Sequence, residues 1–409
     1  MDEFWLIMHP DTFIWTKGNS GIVYNSRNYQ SFTFSNRKIL KNISRTLVNP
    51  DNLYGIILNS EQLSNLEVNQ FIGNVKVIQA GVFLEKKSNT PRPVSYPPML
   101  KIQEDISALR FKHKSGTQTN EILRNLTEIT IHVNGDPNYN PLYYKQFMAL
   151  SDSSETLSVN DLKQFLDKCC KEYIITLNLV GDFATYQERK ALFEWIKNTN
   201  FNRYHLITSL GGWLSHPSTP ECSKDNSTIR QTVIVENVDL LKKTDITQYL
   251  QNNTPITFCF PVDSEHEYYR VNEIIHDKEI KLFEIVPIFN ENNLDFFQSY
   301  VYTTLEDVRF SQFNRRKIFS NQVINNFFFG KLIILPNKNV YANVNAGPIG
   351  KIEDSIYRLI FNELDSGTSW RMIRNKKPCT KCLYQWLCPS PSNYELLIGR
   401  PNLCEITLT

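Results

Sequence analysis

Four cysteines crowd one stretch near the C-terminus, PCTKCLYQWLCPSPSNYELLIGRPNLC, from Pro378 to Cys404. Cys379 and Cys382 form a CxxC knuckle, a turn that lets two thiolates face one ion. Cys388 and Cys404 complete a set of four thiols, half of the chain's eight cysteines. Four thiolates satisfy either tetrahedral zinc or a cubane iron-sulfur cluster, and spacing does not discriminate the two. The other cysteines, Cys169, Cys170, Cys222 and Cys259, are scattered, and neighbours such as Cys169 and Cys170 do not easily ligate one ion; all four read as core or incidental residues. The seven histidines, His9, His113, His132, His205, His216, His266 and His276, show no HxH, HxxxH or HExxH spacing, and no GxSxG nucleophile elbow occurs.

The whole chain is a poor match to several functional classes. At 409 residues with 41% hydrophobic and 21% charged residues it is long enough for two or three globular domains and is neither disordered nor membrane-like in composition. A net charge of +2, with no long run of Lys or Arg, leaves no electrostatic footprint for nucleic acid. The opening MDEFWLIMHPDTFIW lacks a cationic n-region, and no stretch of 18 apolar residues exists, so the expectation is a cytoplasmic protein with no membrane partner. In that reducing compartment clustered cysteines are more often metal ligands than disulfides.

Three elements of organisation must position these residues. Residues 1–90 begin with β-branched and aromatic runs, TFIWTK, GIVYNS and YQSFTF, which predict a three-stranded meander. A helix follows, N-capped by Ser35 and carrying Ile39, Leu40, Ile43 and Leu47 at helical spacing, and SEQLSNLEVNQFIGN is a second helical segment. Together they predict a small winged-helix-like unit. TPRPVSYPPM opens an extended linker, residues 91–115. Over 116–329 short apolar strands (126–135, 173–182, 204–210, 231–237, 255–262 and 281–289) alternate with helical segments such as 159–172 and 186–199, the signature of βα units and a parallel sheet. An α/β fold with a partial (βα)6 TIM-like barrel is expected, because no GxGxxG or P-loop follows any strand. Residues 330–409 start with a hairpin, KLIILPNKNVYANVN, then a helix, IEDSIYRLIFNEL, then the cysteine block. At the carboxyl ends of the strands, where barrel sites are built, lie Tyr143, Tyr144 and Lys145 after the first strand, Asp263, Glu265 and Glu267 after the fifth, and Asn290 and Asn292 after the sixth. Such a rim could hold a peptide or be a solvated loop face.

The cysteine block, with upstream GKIEDSIYRLIFNEL and the Trp370, Arg371 and Arg374 stretch, resembles the SPASM domain found C-terminal to the barrel of radical SAM peptide maturases. The resemblance implies that Cys379, Cys382, Cys388 and Cys404 hold one auxiliary [4Fe-4S] cluster, with zinc as the alternative occupant. A further family cysteine falls at Ser392, and KNVYANVNAGPIGKI lacks the hairpin cysteines of the other auxiliary cluster. The family's CxxxCxxC loop, which grips S-adenosylmethionine through an open iron, should lie in GDPNYNPLYYKQF (135–147); that loop has no cysteine, and the motif occurs nowhere else in the chain. LVGD stands where a Gly-Gly-Glu motif contacts the methionyl amine: Gly181 is kept, Asp182 could imitate the Glu, and Val180 replaces the other glycine.

The combination is similar to the pseudo-radical-SAM proteins of the GG-Bacteroidales type, degenerate relatives of peptide maturases. The N-terminal unit resembles the PqqD-like domain that captures leader peptides by adding a strand to a sheet edge, with residues 12–17 and 20–25 as edge candidates. These resemblances imply a non-catalytic partner in the maturation of a ribosomally synthesised peptide, binding the precursor peptide, the active radical SAM maturase, or both. Alternatives are a peptide-modifying enzyme or electron-relay partner using the retained cluster, and a zinc-stabilised adaptor. Under the first reading the peptide would lie on Tyr143, Tyr144, Lys145, Asp182 and Asp263.

Overall fold

The computed structural model describes residues 2–87, 90–103, 106–114, 120–169, 173–199, 201–216, 229–246, 249 and 256–406. The chain is a mixed α/β protein built on a nine-stranded, mostly parallel sheet, with two small antiparallel sheets contributed by its N-terminal part. The first small sheet has β1 (Glu3–Met8) between β5 (Gly55–Asn59) and β6 (Gly81–Glu85). The second is the expected meander, β2 (Thr12–Lys17), β3 (Ser20–Asn25) and β4 (Gln30–Ser35), turned at Gly18 with φ +56°. The helices Lys38–Val48 and Leu66–Val77 bury Leu40, Ile43 and Leu47, and Val68, Phe71 and Val75, against Leu6, Met8, Ile14 and Val23.

Two expectations for this unit fail for the same reason, strand pairing. Ser35 does not cap a helix: it ends β4, paired with Ser20, and the helix begins at Lys38 after Arg37 with no side-chain cap bond. Residues 20–25 are not an edge, because β3 is central and pairs on both sides. The edges are β2 and β4. The second helical segment breaks at Ser64 and Asn65, where the Asn65 side chain caps a new helix.

Residues 91–101 form neither helix nor strand, in keeping with their prolines, but the linker is shorter than expected. The helix Ile106–Lys114 already belongs to the body: Leu109 is buried, His113 stacks on Phe361 at 3.9 Å between ring centroids, and Arg110 pairs with Asp365. Six parallel strands then follow in spatial and sequence order, β7 (Glu128–His132), β8 (Thr176–Val180), β9 (Arg203–Ser209), β10 (Ile229–Ile234), β11 (Ile256–Val262) and β12 (Phe283–Pro287). One face of this sheet, with Ile129, Ile131, Leu177, Leu179 and Leu206, is buried with Leu162 and Phe165 of the helix Val159–Asp167 and Leu192 and Ile196 of the helix Arg189–Asn198. The hairpin β13 (Lys331–Ile334) and β14 (Asn339–Tyr341) forms as expected, but β13 also joins the sheet as a seventh parallel strand beside β7, and β15 (Gly350–Lys351) closes that edge. No helix among the described residues is long and apolar enough to cross a membrane.

Candidate functional site: a four-thiol cavity beside a plugged sheet

Cys379 opens a 3-10 turn, Cys379–Lys381, whose geometry brings the Cys382 amide to the Cys379 carbonyl at 3.0 Å. A second short turn, Gln385–Leu387, presents Cys388. Cys404 is delivered from far along the chain by a strand-like pairing in which the Thr303 amide donates to the Leu403 carbonyl and the Glu405 amide to the Thr303 carbonyl, at 3.0 and 3.1 Å. All four cysteines line one cavity of about 30 Å³, together with Arg374 and Asn402. They are free thiols, and Asn402 Nδ2 donates to Cys404 Sγ at 3.1 Å.

Burial raises the Cys379 and Cys382 thiols above their ordinary range and pushes Cys388 up to about 12. The guanidinium of Arg374 works in the opposite sense: it donates toward Cys379 Sγ at 4.0 Å, and its charge lowers Cys379 and Cys388. It is itself fixed by Glu395 at 2.7 Å and by the Pro389 carbonyl, with both side chains of the ion pair nearly buried.

The donor set fits a thiophilic metal or an iron-sulfur cluster. The thiols surround the cavity without converging on one point, and among the described residues no three His, Cys, Asp or Glu side chains are gathered tightly enough to share a single ion. A single zinc needs each sulfur within about 2.3 Å of one position, so the present spacing would have to contract for zinc. Of the remaining cysteines, Cys169 and Cys259 are buried in apolar cores, whereas Cys170 and Cys222 lie outside the described residues.

The rim residues are not brought together into one open surface. The loop after β7 folds back over the sheet, and its rings Tyr139, Tyr143 and Phe147 pack with Val180, Ile207, Ile234 and Cys259, inward-facing residues of β8 to β11. Gln146 locks it down through two buried bonds to one residue, donating to the Phe289 carbonyl at 2.9 Å and accepting from the Phe289 amide at 2.7 Å. Tyr139 donates to Glu236 at 2.6 Å. Tyr143 is therefore half-buried in a plug, its hydroxyl raised by burial and by the nearby Asp263, Glu236 and Glu267 charges.

Tyr144 and Lys145 face elsewhere: Lys145 Nζ lies 6.0 Å from the Tyr144 ring, which lines a separate cavity of about 310 Å³. Asp182 spends its carboxylate on a turn, accepting from the Ala184 amide and the Thr185 hydroxyl. Its backbone exchanges two hydrogen bonds with the Asn134 side chain, an approach possible because a Cβ on Gly181 would stand 2.4 Å from Asn134 Oδ1. Asp263 accepts from Asn290 Nδ2 at 2.9 Å and, through its carbonyl, from Asn293. Glu265 and Glu267 bind Tyr269 and Arg270 of their own helix, Glu265–Asp277, and the Asn290 side chain accepts from the Asn292 amide.

His132 was not singled out by sequence, yet it lines the 310 Å³ cavity, is 3% exposed, and its Nδ1 has no partner among the described residues. Burial pushes its pKa down to about 3. Its signal in the sequence is the alternation in Glu128–His132, which puts Glu128, Thr130 and His132 on one face. On that face Lys331 pairs with Glu128 at 3.2 Å and Asn178 donates to both Glu128 and Thr130. Lys17 was missed as well: it reaches from β2 to the cysteine knuckle, donating to the Thr380 carbonyl at 2.9 Å and Gln385 Oε1 at 3.1 Å.

No protein-family model matches the chain, and no curated protein matches it in sequence. Among solved structures it is similar to Streptococcus suis SuiB bound to precursor peptide SuiA, at 11% identity and a TM-score of 0.47, with 98% of this chain and 99% of that chain covered.

Proposed function

We propose that this chain is a non-catalytic member of a machinery that matures a ribosomally synthesised peptide: a degenerate radical SAM protein that binds the precursor peptide and the active maturase. In this reading the sequential parallel sheet is a partial barrel, residues 330–409 form a SPASM-like domain, and the N-terminal unit is the leader-binding part. The observation that carries it is the loop after β7. Where the resemblance calls for three cysteines, this loop supplies Tyr139, Tyr143, Gln146 and Phe147 and packs them across the carboxyl ends of the strands. Three thiolates are needed to leave one iron open to the cofactor, and the chain has none there.

Cys379, Cys382, Cys388 and Cys404 would hold the one retained group, a [4Fe-4S] cluster or zinc. That group would supply cross-linking of a loop-rich segment; structural zinc contributes on the order of 10 kcal/mol of folding free energy. Around such a group Arg374 would offset thiolate charge, and the pairing of Thr303 with Cys404 would hold the cysteine most distant in sequence.

The test has two arms. Anaerobically purified protein incubated with reductant and S-adenosylmethionine should form no 5'-deoxyadenosine, and turnover would overturn the non-catalytic assignment. Pull-down with the peptide encoded beside this gene should retain that peptide; failure to retain either the peptide or a maturase would overturn the partner assignment.

A further inference from the structure

Between the N-terminal meander and the cysteine knuckle lies a groove of about 1350 Å³. One wall is the β2–β3 turn and the end of β4; the other is the segment running from Thr380 to Tyr384. Among the described residues three cations line it, Lys17, Arg37 and Lys381, and no aspartate or glutamate does. Lys17 is held by two uncharged acceptors, so its charge is not neutralised and one of its three donors is left over. Arg37 and Lys381 are exposed, and neither has an ion-pair partner among the described residues.

The groove also offers backbone. β4 pairs with β3 alone, and its last residues, Thr33, Phe34 and Ser35, border the groove. The other edge strand, β2, is engaged through its side chains, with Phe13 packed on Phe319 at 5.6 Å and Lys17 tied to the knuckle. An extended segment added to β4 would gain main-chain hydrogen bonds and project successive side chains to opposite sides. The lining intersperses the cations with Phe34, Leu383 and Tyr384, so it asks for carboxylates interspersed with apolar side chains.

We propose that this groove binds an extended acidic peptide, with carboxylates interspersed among small apolar residues, laid along β4 and held by Arg37, Lys381 and Lys17. The inference rests on the peptide-binding reading above and specifies its chemistry and location. It also separates the site from the slot between β4 and the helix Leu66–Val77. That slot is filled by the chain's own rings, with Phe34 and Phe32 packed edge-on to Phe71 at 5.1 and 5.5 Å.

Fluorescence polarisation on the full chain tests this with four labelled probes of equal length: a repeat of Asp-Val-Ser, the matching Asn-Val-Ser and Lys-Val-Ser repeats, and oligo-dT. The acidic repeat should bind at least about tenfold tighter than the neutral one, with affinity falling as NaCl is raised, since these charges are solvent-facing and screened within about 10 Å. Arg37→Glu and Lys381→Glu should each weaken the acidic probe by about tenfold or more at an unchanged thermal midpoint. Arg37→Glu lies far from the cysteines in sequence and keeps the test decisive if Lys381→Glu disturbs the knuckle. Equal binding of the acidic and neutral repeats, indifference to both charge reversals, or tighter binding of oligo-dT would each overturn the proposal. If the precursor peptide is retained in pull-down while the acidic repeat ignores the groove, the groove assignment fails alone. If the acidic repeat binds and the precursor does not, the groove stands and the maturation role fails.

Discussion

At the residue scale the four cysteines and Arg374 form one electrostatic unit. Burial opposes ionisation of Cys379, Cys382 and Cys388, so a cation must lie close by if thiolates are to persist there. Arg374 supplies it, and Glu395 fixes the guanidinium in place. Removing Arg374 alone also strands a buried carboxylate, which costs about 3–5 kcal/mol, so Arg374→Met should lower the thermal midpoint sharply. The informative variant is the double one, Arg374→Met with Glu395→Gln, which removes both charges and leaves a side-chain acceptor for the Ser392 amide and hydroxyl. It should recover most of the stability yet still hold metal about 10–100-fold more weakly, the usual cost of losing a residue that supports a ligand set. Competition with a chelator reads this directly, and wild-type affinity in the double variant would reduce Arg374 to a partner for Glu395. Cys388→Ser should lose most bound metal, while Cys169→Ser, in an apolar core, should not. The grouping of the four cysteines was legible in sequence because they crowd one short stretch that closes on a single cavity. Arg374 was named there only as part of a resembling stretch, since its contacts with Cys379 and Glu395 depend on how the loop closes.

At the scale of elements, the inward face of β7 explains a property that no single residue announces. His132 is buried in the folded chain with a pKa of about 3, against about 6.5 when unfolded. Because the folded value is depressed, the unfolded chain binds the extra proton between those limits. The contribution to stability is therefore complete above about pH 6.5 and is lost as pH falls toward 3. At pH 5 the loss is about 2 kcal/mol, and His205, also lowered by burial, acts in the same direction. Replacing His132 with Leu should flatten the acid limb of a denaturation-midpoint-versus-pH curve; an unchanged slope would show that His132 does not govern it. The groups sharing its cavity, Glu128, Lys331, Tyr144 and Tyr394, remain in the variant as the background. These elements were read with uneven success, for a physical reason. Strands such as β9 and β11 announce themselves through β-branched and aromatic runs, and the meander through its turn glycine. The union of β13 with β7 joins residues 331–334 to 128–131, a parallel pairing that no local pattern encodes. The Ser35 error has the same origin, since a good cap residue was claimed by a ladder partner at Ser20. The rim likewise misled, because alternation places residues at strand ends without showing that the following loop folds back over them.

At the scale of the molecule, the N-terminal unit and the cysteine segment share an apolar seam, Phe13, Ile22 and Tyr24 against Val308, Phe313, Ile318 and Leu387. Tyr24 pins it by donating to the Phe313 carbonyl and accepting from the Phe313 amide, both at 3.0 Å. The acidic-peptide groove opens beside this seam, and one of its walls is the same Thr380–Tyr384 segment that spans the gap between Cys379, Cys382 and Cys388. Anything that orders the four thiols therefore orders half of the groove. Two ligands that favour one arrangement of a shared segment must help each other, by equal factors in both directions. Stripping the metal should weaken the acidic probe by about tenfold or more, within the usual coupling range of 1–3 kcal/mol, and saturating peptide should slow metal release to a chelator in the same proportion. Lys17→Met, which unties β2 from Thr380 and Gln385, should shrink that coupling more than it shrinks metal affinity, because the lysine touches the knuckle without lining it as a ligand. Identical peptide affinities for the loaded and stripped protein would show that the segment holds its shape without the thiols, and would separate the groove from the metal altogether.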